Sequence, residues 1–275
     1  MKRYNIGTVV RTSLLSAVII TALSCTHKKT NITYDFNQIP DRLWIGEDFW
    51  SVPIEDWQVK NGRVECNSAL QNSSVSLLTN VLGETKSDFY ISVNMGLLNE
   101  GTNEGSSGIS IGVLAGEEKD VRDAVYFGSG INAGINTDGH AFLGMSTSDL
   151  PVNFDFSAFN IKVAGKYNSG VLTLEMLLAD KDGNTVADLS MKPESEISGI
   201  IQLKNNFRNA NSANNGPKFW FDDFKIGGSK FEHQPENSFG PVLWTMYTLS
   251  DNTLKLSAQF PPLGENDNKK AGLQI

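Results

Sequence analysis

The side chains best suited to chemistry in this sequence are aromatic. Trp44 and Trp50 lie in a stretch with Gly and Pro that is typical of a loop, where an indole ring can stack on a sugar ring. Trp57 and Trp220 alternate with apolar neighbours, which favours a place in the core for both. The other aromatic candidates are Phe49, Tyr126 and Phe127. We therefore predict Trp44 and Trp50 as the ligand-binding residues.

Carboxylates do not form a recognisable catalytic pair. A retaining glycosidase needs two carboxyl groups about 5 to 5.5 Å apart. Asp222 and Asp223 are adjacent in a predicted strand, so their side chains should point to opposite faces. Glu194 and Glu196 lie in a polar, loop-like stretch. The sequence therefore predicts no catalytic residues.

Metal-binding patterns are also poorly supported. His27, His140 and His233 have neither H-x-H nor H-x-x-x-H spacing, which disfavours a zinc site. The segment Asp180–Asn184 imitates the start of a calcium loop, but Met191 stands where that loop has Glu. A hairpin turn explains the segment. No metal ligands and no cofactor are predicted from these motifs, and a structural calcium held by loop oxygens without a linear motif stays an open alternative.

Two further motifs are expected to be structural. Cys66 lies in an alternating stretch and is interpreted as a small buried strand residue. The segment Gly128–Ala133 matches a dinucleotide-binding pattern, but a hairpin signal at Asn136–Gly139 follows it instead of a helix. We therefore expect neither a reactive thiol nor a nucleotide site.

Short alternating runs of apolar and polar residues, separated by Gly, Asn, Asp and Pro, predict β-strands. They are Asp56–Val59, Arg63–Cys66, Ser74–Thr79, Asp88–Met95, Gly108–Val113, Ala124–Phe127, His140–Gly144, Phe159–Val163, Val171–Leu178, Gly199–Leu203 and Lys218–Ile226. No window has an apolar stripe at helical spacing, so no helix longer than a single turn is expected. This pattern predicts an all-β fold, a two-sheet jelly-roll sandwich.

Composition and charge narrow the possible partners. Of the 275 residues, 40% are hydrophobic and 20% charged, which is ordinary for a globular protein. All 31 acidic residues follow Cys25, whereas three of the 23 basic residues precede it, so residues 26–275 carry a net charge of −11. Proteins that bind a phosphate backbone have an excess of basic residues. Nucleic acid is therefore not expected as a partner.

Residues 1–25 are predicted to be a lipoprotein signal peptide. Cationic Lys2 and Arg3 precede an apolar run at 13–24 that is too short to cross a hydrocarbon core of about 30 Å. The sequence Ala22-Leu-Ser-Cys25 resembles the lipobox of bacterial lipoproteins, in which the cysteine is acylated. The resemblance implies lipid attachment at Cys25 and a place in the bacterial cell envelope, at the outer membrane. The Lys28-Lys29 pair after the cysteine, with no acidic run, favours the periplasmic face over the cell surface.

The order of segments after Cys25 predicts four regions. Residues 26–31 form a polar tether, residues 32–227 the sandwich, and residues 228–239 a polar linker with Gly and Pro. Residues 240–275 contain two more alternating runs and the start of a third at Ala271–Ile275. We expect this region to be a truncated, incomplete second β-module.

The predicted sandwich and the region after it resemble parts of one kind of bacterial protein. Phe49-Trp50, Asp56–Cys66 and Phe219–Ile226 resemble the opening and closing of a concanavalin A-like (laminin G-like) sandwich. Phe239–Ser250 and Leu254–Gly264 are similar to the segment that follows such a sandwich in large PhoD-like (alkaline phosphatase D-like) metallophosphatases. The resemblance covers most of residues 45–275 and implies a fibronectin type III-like second module.

The function implied is a non-catalytic accessory or binding module of a cell-envelope lipoprotein. The resemblance reaches only the region before the metallophosphatase domain, so it assigns no catalytic residue to this chain. The expected partners are the membrane, through the lipid anchor, and a glycan or a phosphorylated envelope compound. The alternative is a glycan-binding or glycan-degrading jelly-roll protein.

Overall fold

The computed structural model describes residues 29–99, 104–115, 120–207 and 216–273. Cys25 and the predicted signal peptide lie outside these residues, so lipid attachment there stays a prediction. No helix in the described part of the chain is long and apolar enough to cross a membrane.

Strands make up most of the ordered backbone, as the alternating runs predict. In chain order they are β1 (Thr30–Tyr34), β2 (Phe49–Val52), β3 (Trp57–Lys60), β4 (Arg63–Cys66), β5 (Ser73–Leu82), β6 (Phe89–Asn99), β7 (Ser106–Leu114), β8 (Ser129–Asn136), β9 (His140–Leu143), β10 (Ser146–Asp149), β11 (Phe159–Asn168), β12 (Val171–Asp180), β13 (Thr185–Met191), β14 (Gly199–Asn205), β15 (Lys218–Gly228), β16 (Phe231–His233), β17 (Trp244–Ser250) and β18 (Thr253–Gln259). A helix, α1, spans Val121–Phe127, and 3-10 turns span Ile54–Asp56 and Pro235–Asn237.

The strands form two large antiparallel sheets that pack face to face. The first sheet has the order β13-β12-β11-β6-β15-β4-β3, with β1 beside β15. The second has the order β10-β9-β8-β7-β14-β5-β16, with β2 beside β5. The predicted fold class, an all-β two-sheet jelly-roll sandwich, is confirmed.

The main core lies between the two sheets. Because side chains alternate along a strand, one face of each strand supplies apolar residues to this core, such as Ile161 and Val163 from β11 and Ile109 and Ile111 from β7. All ten residues of β5 are buried, since the outer face of the second sheet is also covered. The cover is a smaller apolar cluster of Leu78, Val81, Val113, Ala124, Val125 and Ile200, in which α1 packs on the sheet.

Tight turns at the predicted positions connect neighbouring strands. Asn61 and Gly62 both have positive φ, 52° and 73°, and join β3 to β4. Residues with positive φ suit two-residue hairpins because their twist matches that of the strands. The segments Asn136–Gly139 and Asp180–Asn184 also turn between paired strands, as predicted.

The helix α1 was not predicted, since Ala124–Phe127 was interpreted as a strand. The Asp120 side chain accepts a hydrogen bond from the Arg122 backbone N–H and caps the first turn. Ala124 and Val125 are the buried residues of the helix, and both pack on the sheet. Local capping and burial on the sheet therefore outweigh the β-propensity of this segment.

The structure also differs from the predicted region boundaries. Thr30 and Asn31, assigned to the tether, pair with Gly228 and Gly227 in the first sheet. The predicted linker contains β16, which pairs with β5 and so belongs to the second sheet. The sandwich therefore includes residues on both sides of the predicted range 32–227.

Strands β17 and β18 form a separate two-stranded sheet. Nearly every residue of this hairpin is exposed, including Trp244, Met246, Tyr247 and Leu249. The described residues of the predicted third strand, 271–273, are not in a strand. In the described part of residues 240–275, the hairpin has no apolar core of its own.

Candidate functional site

Four aromatic side chains meet on the outer side of the second sheet and form the aromatic patch: Trp50, Tyr126, Phe127 and Phe239. The Trp50 ring stacks on Phe239 with centroids 5.3 Å apart and an interplanar angle of 11°. The Tyr126 ring meets Trp50 edge to face at 5.5 Å, and Phe127 lies 6.2 Å from Tyr126. Tyr126 is 53% exposed and Phe127 81% exposed. The patch thus presents aromatic surface to solvent, which is unusual for phenylalanine.

A cleft of about 640 Å³, the Trp50 cleft, opens beside this patch. Its lining combines the apolar side chains of Trp50, Leu78, Val121 and Phe239 with polar ones from Asp120, Arg122, Gln234, Glu236, Asn237 and Ser238. A second cleft of about 260 Å³, the Glu232 cleft, adjoins it and has Asp120, Val121 and Gln234 in common with it. Together they form one groove along α1.

The chain segment after β16 forms one wall of the groove and is held in place by backbone hydrogen bonds. The Gln234 N–H donates to the Thr79 carbonyl at 2.7 Å, and the Phe239 N–H donates to the Glu47 carbonyl at 2.8 Å. Between them, the Asn237 amide donates to Gln234 Oε1 at 2.8 Å. The amide side chains of the wall are therefore preorganised at the cleft.

Trp44 supports this wall and does not face the cleft. The predicted loop position is correct, but the Trp44 side chain is only 8% exposed. Its indole N–H donates to the Phe239 carbonyl at 2.9 Å, and the Arg42 guanidinium lies 4.4 Å from its ring centroid. The prediction of Trp44 as a ligand contact is therefore corrected: its buried ring positions Phe239. Trp50, on β2, lines the cleft.

The charges around the groove are mostly negative. Glu84, Asp120, Glu232 and Glu236 supply carboxylates, and Arg122 supplies a guanidinium. Arg122 donates two side-chain hydrogen bonds to Asp120, at 3.1 and 2.8 Å. These bonds lower the pKa of Asp120 and raise that of Arg122. The guanidinium is thus neutralised by its neighbour, and the groove presents net negative charge to a ligand.

The other aromatic candidates lie elsewhere. Trp57 and Phe49 are buried in the core, as the alternation predicts for Trp57. Trp220 was also expected in the core, but it lies on the outer face of the first sheet under the Arg63 guanidinium, 5.0 Å from the ring centroid. Cys66 is buried as predicted, and burial raises the pKa of its thiol to about 12.

The prediction that Asp222 and Asp223 point to opposite faces is wrong. Asp223 has a φ of 49°, and the register of β15 against β6 shifts between Asp222 and Lys225. Such a bulge inserts one extra residue into the strand, which interrupts the inward–outward alternation of its side chains. Both carboxylates therefore lie on the outer face. Burial raises the pKa of Asp222, although the hydrogen bond that its carboxylate accepts from the Asp223 backbone N–H lowers it in part.

The polar motifs singled out as turns act as turns. The Asp180 carboxylate accepts hydrogen bonds from the backbone N–H groups of Asp182 and Asn184. The Asp138-Gly-His140 segment lies at the β8–β9 turn, with His140 Nδ1 2.9 Å from an Asp138 oxygen. Across the described ranges, no group of three or more His, Cys, Asp or Glu residues could hold a metal ion.

Sequence reasoning missed the groove because the segments that form its two walls were assigned to other kinds of local structure. Tyr126 and Phe127 were placed in a strand, and residues 234–239 in a linker. The Asp120 cap before an aromatic pair was the available signal for α1, since a short polar residue before a helix is a common start.

Comparisons with known proteins concern the fold. No protein-family model matches the chain, and no curated protein sequence matches it. Among solved structures it is similar to arcelin-5, a lectin-like defence protein from Phaseolus vulgaris, with 6% identity, a TM-score of 0.47 and coverage of 73% of this chain and 98% of that one. Peanut lectin bound to a nonapeptide gives 13% identity, a TM-score of 0.47 and coverage of 72% and 97%. The Emp47p carbohydrate recognition domain gives 14% identity, a TM-score of 0.42, and coverage of 74% of this chain and 94% of that one.

Proposed function

We propose that this chain is a glycan-binding module and that the Trp50 cleft is its binding site. The observation that carries the proposal is the aromatic patch beside a groove lined with amide and carboxylate side chains. The apolar face of a sugar ring packs on an aromatic ring, while its hydroxyl groups hydrogen-bond to amides and carboxylates. Concave sites with a few fixed polar groups are the usual form of small-ligand sites.

The length of the groove and its fixed wall at residues 234–239 support a ligand of several sugar units. The two clefts adjoin at Asp120, Val121 and Gln234, so a chain can extend from one into the other. Hydrogen bonds from Gln234 and Phe239 to the sheet and its loop fix the wall before a ligand arrives. Preorganised groups lose little conformational freedom on binding, which favours affinity.

The negative charge of the groove argues for neutral sugars. Uronates and sulfated sugars would meet carboxylates from Glu84, Glu232 and Glu236, and the net charge of −11 on residues 26–275 opposes their approach. A glycan array of neutral and acidic polysaccharide fragments tests the proposal. We expect binding to neutral fragments and at least tenfold weaker binding to uronates. Binding to no glycan on the array would contradict the proposed function.

We also propose, from the resemblance alone, that such a module acts as the non-catalytic front part of a PhoD-like metallophosphatase. The similarity of Phe239–Ser250 and Leu254–Gly264 to the segment that follows the sandwich supports it. The chain itself is then expected to release no phosphate from a nitrophenyl phosphate ester with divalent metal present. Measurable release by the purified chain would contradict this assignment.

A further inference from the structure

A row of polar side chains crosses the outer face of the second sheet beneath α1. In the register of the sheet, Trp50 on β2 is opposite Ser76, Ser76 is opposite Gln202, Gln202 is opposite Ser110, and Ser110 is opposite Asn132 on β8. These five residues form the polar row. Neighbouring strands are about 4.8 Å apart, so the row is about 19 Å long from Trp50 to Asn132.

The middle of the polar row is buried although it lies on the outer face of the sheet. Ser76, Gln202 and Ser110 are each at most 1% exposed, whereas Trp50 and Asn132 at the two ends are partly exposed. The Gln202 amide nitrogen is 3.5 Å from the Val125 carbonyl of α1, so the amide points toward the helix. The row thus starts at the Trp50 cleft and continues under α1.

One polar atom of the row has no hydrogen-bond partner within the described ranges. Gln202 Nε2 donates to the Ser76 hydroxyl at 3.0 Å, and the Ser110 hydroxyl donates to Asn132 Oδ1 at 2.7 Å. Gln202 Oε1 is buried and accepts no hydrogen bond from any residue that the structure describes. Buried polar atoms are nearly always paired, so an unpaired oxygen in an amide that lies against the covering helix indicates a group that pairs with something else.

The cover over the row is small. Of the seven residues of α1, only Ala124 and Val125 are buried, and both contact apolar side chains of the sheet. The helix ends at Gly128, where an added Cβ would lie 2.5 Å from a Val113 methyl group, so the chain passes close to β7 there. Segments with few buried apolar contacts open at low free energy.

We propose that the polar row is an inner subsite for the same neutral glycan, and that α1 is a lid that must lift for the glycan to occupy it. This inference rests on the proposed function, because it extends the Trp50 cleft across the sheet. Hydroxyl and amide groups in a line, without charge among them, match the alternating donors and acceptors of a neutral saccharide chain.

Thiol labelling tests the lid. In the full chain with Cys25→Ser, the buried Cys66 thiol reports global unfolding, and Ser110→Cys adds a thiol to the row. Under native conditions we expect the introduced thiol to react with a disulfide reagent at least tenfold faster than Cys66. Val125→Ala should accelerate the introduced thiol several-fold further and leave Cys66 unchanged. Equal rates for the two thiols would show that the row opens only when the protein unfolds, and would overturn the lid.

The glycan array tests the subsite with Gln202→Leu and with the milder Ser110→Ala. We expect both variants to lose at least tenfold in signal on the glycans bound by the wild type. The matched control, Gln58→Leu, changes a glutamine on the first sheet and should leave the signal unchanged. Wild-type signal from both row variants would refute the subsite alone. No signal from the wild-type chain would instead refute the proposed function.

Discussion

At the scale of single residues, Trp44 and Trp50 have different roles although they lie six positions apart. Trp50 presents part of its ring to the cleft, whereas the ring of Trp44 is buried and its N–H holds the Phe239 carbonyl. A buried indole contributes to the free energy of unfolding through packing and through its hydrogen bond. A partly exposed one contributes less to stability and is available to a ligand.

We therefore expect Trp44→Ala to destabilise the fold by about 3 kcal/mol, because large-to-small substitutions of buried aromatics cost roughly 3 to 5 kcal/mol. Urea denaturation of the variant and the wild type measures the difference. Trp220→Ala, on the outer face of the first sheet, is the control and should cost less than half as much. A loss below about 1 kcal/mol for Trp44→Ala would show that the ring is not part of the packing.

The residue scale also shows what the sequence could predict of the site. Trp50 was singled out as an aromatic residue near Gly and Pro, and it lines the cleft. Trp44 has the same local pattern, and its burial depends on Phe239, almost two hundred positions later. The positions of Asp222 and Asp223 depended on a bulge, which leaves no mark in a pattern of adjacent acidic residues.

At the scale of secondary-structure elements, the hairpin β17–β18 and the segments on either side of it behave differently. The hairpin is exposed on both faces, but Phe239 stacks on Trp50 before it and Asp267 forms an ion pair with Arg42 after it. The Leu243 N–H donates to the Gln259 carbonyl at 2.8 Å, so the two ends of the hairpin are neighbours. We therefore expect the flanking segments to stabilise the sandwich and the hairpin to contribute little to its stability.

Replacing residues 244–258 with two glycines should therefore change the Tm by less than about 2 °C. A chain that ends at Ser238 should lose several degrees, because the contacts of Phe239 and Asp267 are lost, and a change of 1 kcal/mol shifts the Tm of a protein this size by roughly 2 to 4 °C. Calorimetry on both variants makes the comparison. Equal Tm values for the two variants would mean that the flanking segments contribute no more to the stability of the sandwich than the hairpin does.

The elements that were predicted depend on their own sequence pattern, whereas those that were missed depend on contacts with residues distant in sequence. Strands such as β11 and β12 were predicted because their alternation follows directly from one buried and one exposed face. The three-residue strand β16 is too short for a period to appear and exists because it pairs with β5. The helix α1 likewise depends on a sheet surface that is distant in sequence.

At the scale of the whole molecule, the first strand constrains how the sandwich would sit if Cys25 is acylated, as we propose. β1 begins at Thr30, so five peptide units separate it from Cys25 and reach at most about 18 Å when extended. Thr30 pairs with Gly228, near the end of the sandwich that holds the Glu232 cleft. That end would then face the membrane.

Cys25→Ser expressed in a Gram-negative host tests the anchor. We expect the variant to leave the membrane fraction and to lose labelling by a palmitate analogue. The net charge of −11 on residues 26–275 gives them no attraction to anionic lipid, so the acyl chains are needed for attachment. A variant that stays in the membrane fraction would show that the apolar segment holds the protein there without the lipid.

The central claim is that the Trp50 cleft binds a neutral glycan, and Trp50→Ala on the glycan array tests it most directly. Removing the ring takes away the stacking surface of the cleft, so the signal on every glycan bound by the wild type should fall at least tenfold. Trp220→Ala, an aromatic substitution on the opposite sheet, should keep the wild-type signal. Undiminished binding by Trp50→Ala, with Tm unchanged, would contradict the claim.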